Sequence, residues 1–141
     1  MKFIPIICKA YLGFSLASIL SVSIYGLLDP QGVMDLVQVT LPNTNAISSI
    51  RGVYGGVGFT VCMCILYLFL HNLEKGVVLL TVFWGSYAIS RLITLLSDGP
   101  LGTFGQQWLM IESILCLLGL GIWFASRLRK EKQPFILKAE I

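Results

Sequence analysis

Four apolar stretches, each long enough to cross a bilayer, take up most of this 141-residue chain. They fall at about 3–28, 51–71, 76–97 and 105–126. A helix needs about 20 apolar residues, at 1.5 Å each, to traverse the hydrocarbon. Hydrophobic residues make up 56% and charged residues 12%, against roughly 25% charged in an average soluble domain. The mean hydropathy of +0.84 points the same way. The expected fold is an all-α integral membrane protein, an antiparallel, left-handed four-helix transmembrane bundle. Residues 1–127 form its single domain, with an outer loop at 30–50, and residues 128–141 form a basic tail. A water-soluble core is excluded.

The opening Met1-Lys2-Phe3-Ile4-Pro5 has the look of a secretory signal. The apolar run behind it exceeds the 7–15 residues of a signal core, and it ends in Tyr25-Gly26-Leu27-Leu28-Asp29-Pro30 without a small-x-small cleavage pattern. It reads as a retained first helix.

Basic residues set the expected orientation. Of ten Lys and Arg, eight (Lys2, Lys9, Lys75, Arg127, Arg129, Lys130, Lys132 and Lys138) lie near the N-terminus, in the second loop or in the tail. The first and third loops carry Asp29, Asp35 and Asp98 instead. The positive-inside rule then places both termini and the second loop in the cytoplasm. The net charge of +3 is an orientation signal, and no nucleic-acid partner is expected. The tail is expected to anchor on anionic lipid.

Cys8, Cys62, Cys64 and Cys116 fall within the spans without metal or redox spacing, and read as buried small hydrophobes. Lys9 is expected to snorkel, and the single histidine, His71, to be a surface residue. In the first helix Tyr11, Ser15, Ser18, Ser21, Tyr25 and Asp29 recur at helical spacing as a polar stripe. The 30–50 loop holds a short interfacial segment, Val33–Val39, and Asn45 or Ser48 is the expected N-cap of the second helix.

The second helix opens Arg51-Gly52-Val53-Tyr54-Gly55-Gly56-Val57-Gly58. Gly52 and Gly56 form a G-x-x-x-G pair, expected to let a neighbouring backbone approach. Arg51, Tyr54, Gly55 and Gly58 share another face. On the third helix Tyr87, Arg91, Thr94 and Asp98 line up, with Trp84 one turn inward. On the fourth, Trp108, Glu112, Cys116 and Gly119 do.

Arg51, Arg91, Asp98 and Glu112 share the outer half of the membrane, where an ionisable group costs about 3 kcal/mol and normally finds a partner. They are therefore expected to form one paired cluster. One reading is an ion-pair network that fixes helix register. The other is a polar pocket in which the arginines, with Tyr54, Tyr87, Gly55 and Gly56, bind an anionic or carbonyl-bearing amphiphile such as a lipid head group or a quinone. No nucleophile–base pair, metal triad, phosphate-cradling loop or haem-ligating histidine pair is visible.

The sequence Arg51-Gly52-Val53-Tyr54-Gly55-Gly56, followed by Ser90-Arg91, Ser97-Asp98-Gly99-Pro100 and a glutamate in the last helix, resembles an uncharacterised family of small bacterial four-helix membrane proteins, domain of unknown function 4345. The general plan is also DoxX-like. The matching residues are Arg51, Tyr54, Gly55, Gly56, Arg91, Asp98, Gly99 and Glu112. The resemblance implies a four-helix bundle in a bacterial cytoplasmic (inner) membrane and no catalytic residues. The leading expectation is a non-enzymatic accessory subunit of a membrane complex, or a binder of a small lipid or quinone at the cluster. Its partners would be membrane lipids and a membrane-protein partner or second copy. The alternative is a small membrane oxidoreductase or isomerase subunit using Glu112 and Asp98 for proton transfer. No inverted repeat or broken-helix pair supports a transporter.

Overall fold

A computed structural model describes residues 3–139, with side chains from Ile4 to Arg129. Lys2, Lys130, Lys132 and Lys138, on which part of the orientation argument rests, lie outside the described side chains. Among the described residues every regular element is helical. These are α1 (Phe3–Leu28), α2 (Pro30–Asp35), α3 (Thr44–Ile50), a π-helical turn (Arg51–Val57), α4 (Gly58–His71), α5 (Leu73–Ser97) and α6 (Thr103–Ala139). α3, the π turn and α4 run on as one helix, so the four apolar spans are Ile4–Leu28, Thr44–His71, Leu73–Ser97 and Thr103–Arg129. The chain is an all-α, four-helix multi-pass membrane protein. Its outer surface agrees, because Phe14, Leu70, Leu96 and Leu117 stand well exposed, as they would in lipid and not in water.

The second span starts earlier than the apolar pattern indicates. Asn43 caps it by accepting the Ala46 N–H at 3.0 Å, in place of the expected Asn45 or Ser48. Thr44-Asn45-Ala46-Ile47-Ser48-Ser49-Ile50 is polar enough to read as loop, but a good N-cap and helical continuity carry it into the span. The expected 30–50 loop thus shrinks to the connection between α2 and α3. α2 is capped by Asp29, which accepts the Gly32 N–H at 2.9 Å, with Pro30 in the first turn. Gln31 secures the connection, donating to Asp35 Oδ1 (2.6 Å) and the Val39 carbonyl (3.1 Å) and accepting from the Leu41 N–H (2.9 Å).

The hairpin between α4 and α5 turns at Asn72, whose side chain accepts the Lys75 N–H at 3.0 Å. α5 ends at Asp98, and Gly99 takes φ +112°, a left-handed conformation that suits glycine. α5 and α6 make the most extensive helix pair, α1 packs on α4 and the π turn, and α1 and α5 touch across the middle.

The core follows from those contacts. Leu12, Ile65, Val77, Leu80, Trp84 and Leu115 fill it. Lipid supplies little driving force between helices, so packing and polar contacts must hold them. Tyr11 donates to the Leu115 carbonyl at 3.0 Å, joining α1 to α6. Trp84 Nε1 donates to Ser15 Oγ at 3.2 Å, joining α5 to α1. The polar stripe of α1 therefore divides. Tyr11 and Ser15 point inward and join helices, whereas Ser21 and Tyr25 are exposed. The cysteines divide too. Cys8 and Cys62 are buried, but Cys64 is exposed, since two residues of helix turn it to the other face.

Candidate functional site

The site is built on facing positions of α5 and α6. Arg91 lies two turns before the end of α5, and Glu112 lies on the buried face of α6 with Leu115 and Gly119. Close approach of the two helices is allowed by small residues. A methyl added at Gly85 would lie 3.1 Å from Cys116 Sγ, and one at Gly119 would run into the Thr81 hydroxyl of α5.

The guanidinium meets the carboxylate through two parallel bonds, Nε to Oε2 at 2.7 Å and Nη2 to Oε1 at 3.0 Å. This is the two-pronged geometry for which arginine is suited. Glu112 is 2% exposed and Arg91 23%. Glu112 is therefore sealed between helices, while the arginine has an outer edge. Arginine carries five N–H donors. Two go to Glu112, and the three that remain have no partner among the described residues.

Tyr87, one turn before Arg91, lies within electrostatic reach of Tyr54, Glu112 and Arg91. Tyr54, on the π turn, thereby joins the group from the second span. Of the expected residues Arg91 and Glu112 are in direct contact, with Tyr87 and Tyr54 within electrostatic reach.

The other expected members stand elsewhere. Arg51 does not enter the network. Its Nε donates to the Leu27 carbonyl at 2.9 Å, one of the last carbonyls of α1, which have no partner within their own helix. A cation there also complements the negative end of the helix dipole. Asp98 is exposed at the end of α5, two turns or about 10 Å along the axis from Arg91 at the usual helical rise. The expected four-charge cluster is thus one sealed ion pair with two separate charges beyond it.

The glycines also sort differently from the G-x-x-x-G expectation. Nothing lies within 4 Å of a methyl placed on Gly52 or Gly56, so that face meets no neighbouring helix. Instead Gly55 sits on Leu27 of α1, Gly58 on Ser23, and a methyl on Gly26 would lie 2.6 Å from Tyr54 Cβ. The face shared by Arg51, Tyr54, Gly55 and Gly58 is the one that packs on α1. Sequence reasoning passed over Gly26, the α1 side of this approach, because a single glycine late in an apolar helix gives no motif.

Four apolar spans with a buried arginine–glutamate pair define a small polytopic membrane protein whose last two helices are joined by the ion pairs Arg91–Glu112 within the bundle and Arg127–Glu74 near its basic end. The chain belongs to the family described as Domain of unknown function (DUF4345), whose model matches residues 7–124. No curated protein and no solved structure matches it.

Proposed function

We propose that this protein is a non-enzymatic membrane component that holds the head group of a small amphiphile, with a carbonyl-bearing group of quinone type as the preferred chemistry. The carrying observation is the set of three Arg91 N–H donors left over beside a satisfied Glu112. Glu112 already offsets the arginine's charge, so a full anion gains little there. A neutral carbonyl oxygen still gains hydrogen bonds in a setting with little competing water. Tyr87, 45% exposed on the bundle surface, supplies an aromatic flank with a hydroxyl, so the head group would enter sideways from the bilayer. Tyr54 would flank it from the second span.

The same reading places the protein in a bacterial cytoplasmic membrane with both termini in the cytoplasm, where it would act alone or beside a membrane-protein partner. A proton-transfer role for Glu112 together with Asp98 is less well supported, because Glu112 is engaged in a two-bond ion pair and Asp98 stands two turns away.

The test is native mass spectrometry of the full chain after gentle extraction, followed by titration with a short-chain quinone read by intrinsic fluorescence. The Arg91→Gln/Glu112→Gln double variant removes both charges without stranding either, so it should fold and yet lose the retained ligand. Unchanged quinone binding in the folded double variant would sink the proposal.

A further inference from the structure

At the opposite end of the bundle, where α1 begins and α4 turns into α5, lies a concave site with no part in the arrangement above. It has a volume of about 420 Å³ and is lined by Lys9, Phe69, Leu70, His71, Asn72 and Leu73. Its composition is divided. Lys9 and His71 supply basic groups from two different helices, while Phe69, Leu70 and Leu73 supply an apolar wall.

Lys9 is exposed and has no carboxylate within ion-pair distance among the described residues, whose ion pairs are Arg91–Glu112 and Arg127–Glu74. Glu74, three residues after His71, faces Arg127 at 3.7 Å. His71 is oriented by its own helix. Nδ1 lies 2.8 Å from the Tyr67 carbonyl, and a carbonyl only accepts, so Nδ1 carries the hydrogen. The ring also stacks on Tyr67 at 4.3 Å between centroids. Its remaining polar atom is Nε2, which becomes a donor to an anion once the ring is protonated.

The depth of the site selects the occupant. The second apolar span ends at His71 and the third begins at Leu73, so the site sits at the level where hydrocarbon gives way to head groups. Two basic groups above an apolar wall match an anion tethered to hydrocarbon, and Lys75, Arg127 and Arg129 add positive charge at the same end of the bundle.

We infer that the Lys9–His71 concavity binds the phosphate of an anionic membrane phospholipid, whose glycerol and upper acyl carbons lie on Phe69, Leu70 and Leu73.

The test uses the full chain in phosphatidylcholine nanodiscs doped with phosphatidylglycerol, with retained lipid read by native mass spectrometry. Lys9→Gln and His71→Gln should each lower phosphatidylglycerol retention about fivefold, the share expected of one interfacial basic group. Both positions are exposed, so the variants should fold as the parent does. Lys75→Gln removes the same charge at the same end but outside the concavity, and should have a clearly smaller effect. Equal losses in Lys75→Gln and Lys9→Gln would show a diffuse basic surface and overturn the site. Displacement of phosphatidylglycerol by inorganic phosphate as effectively as by the lipid itself would overturn the lipid assignment in favour of a free anion.

Discussion

Glutamine at position 112 would keep the shape of the glutamate and remove its charge, leaving the Arg91 guanidinium beside a neutral amide between two helices. Removing one partner of a buried pair costs about 3–5 kcal/mol, and Arg91→Gln should cost a similar amount by stranding a carboxylate that is 2% exposed. The double change should cost less than the two losses added. The expected coupling is about 0.5–3 kcal/mol in a double-mutant cycle, measured by thermal or denaturant unfolding in detergent. Arg51→Gln should instead add independently to Glu112→Gln, since Arg51 bonds the Leu27 carbonyl; strong coupling between those two would contradict the observed pairing. That Glu112 needs a cationic partner was legible in the sequence, because hydrocarbon penalises a lone charge, but the sequence left Arg91 and Arg51 open as that partner. The partner of Arg51 was not legible. It is a main-chain carbonyl, which every residue carries and no residue type signals. Asp98 was drawn into the expected cluster by sharing a helical face with Arg91, but at the end of α5 water is available to solvate it.

At the scale of elements, the second span is the instructive one. Its glycine-rich opening marks a place where helices approach, and the structure places that approach on Gly55 and Gly58 against Leu27 and Ser23. The turn there is π-helical over Arg51–Val57, a local widening that is rare and often found at functional positions. Every residue shifts the facing direction by about 100° at 3.6 residues per turn, so neighbouring glycines differ completely in what they meet. Gly55→Leu should force α1 and the π turn apart and cost about 1–3 kcal/mol from overpacking. Gly56→Leu should leave stability within about 1 kcal/mol of the parent, the scale of the helix-propensity change alone. Thermal melts of the two variants in the same detergent decide the matter, and a reversed ranking would mean that the G-x-x-x-G face packs after all. A spacing motif proposes a face without naming its partner. The partner face, Ser23 and Gly26 on α1, looks like any other apolar helix until the two are brought together.

The whole molecule is an arrangement of four spans whose number was readable from length and hydropathy, but whose pairing was not. Lipid-facing and helix-facing positions are alike apolar, so the periodic contrast that reveals a buried face in water is weak here. That α5 packs most closely on α6, and α1 on α4, follows instead from small residues such as Gly58 against Ser23 and a few polar contacts such as Arg91 to Glu112. With four spans, the two termini lie on one side of the membrane, and charge must then choose the side. The end carrying Lys9, Lys75, Arg127 and Arg129 also holds the Arg127–Glu74 pair at 3.7 Å and the Arg127 guanidinium 5.3 Å from the Trp123 ring centroid. An exposed pair of this kind adds little stability, so these charges matter more for orientation. The opposite end presents Asp29, Asp35 and Asp98 beside the single cation Arg51 among its described residues. Under the positive-inside rule the basic end is expected to face the cytoplasm. Gln38→Cys, in the exposed connection between α2 and α3, should then react with a membrane-impermeant maleimide added to intact cells, whereas Lys132→Cys should react only after the membrane is opened. The inverse labelling pattern would reverse the orientation. It would also move the Arg91–Glu112 pair to the cytoplasmic leaflet and the Lys9–His71 concavity to the outer one.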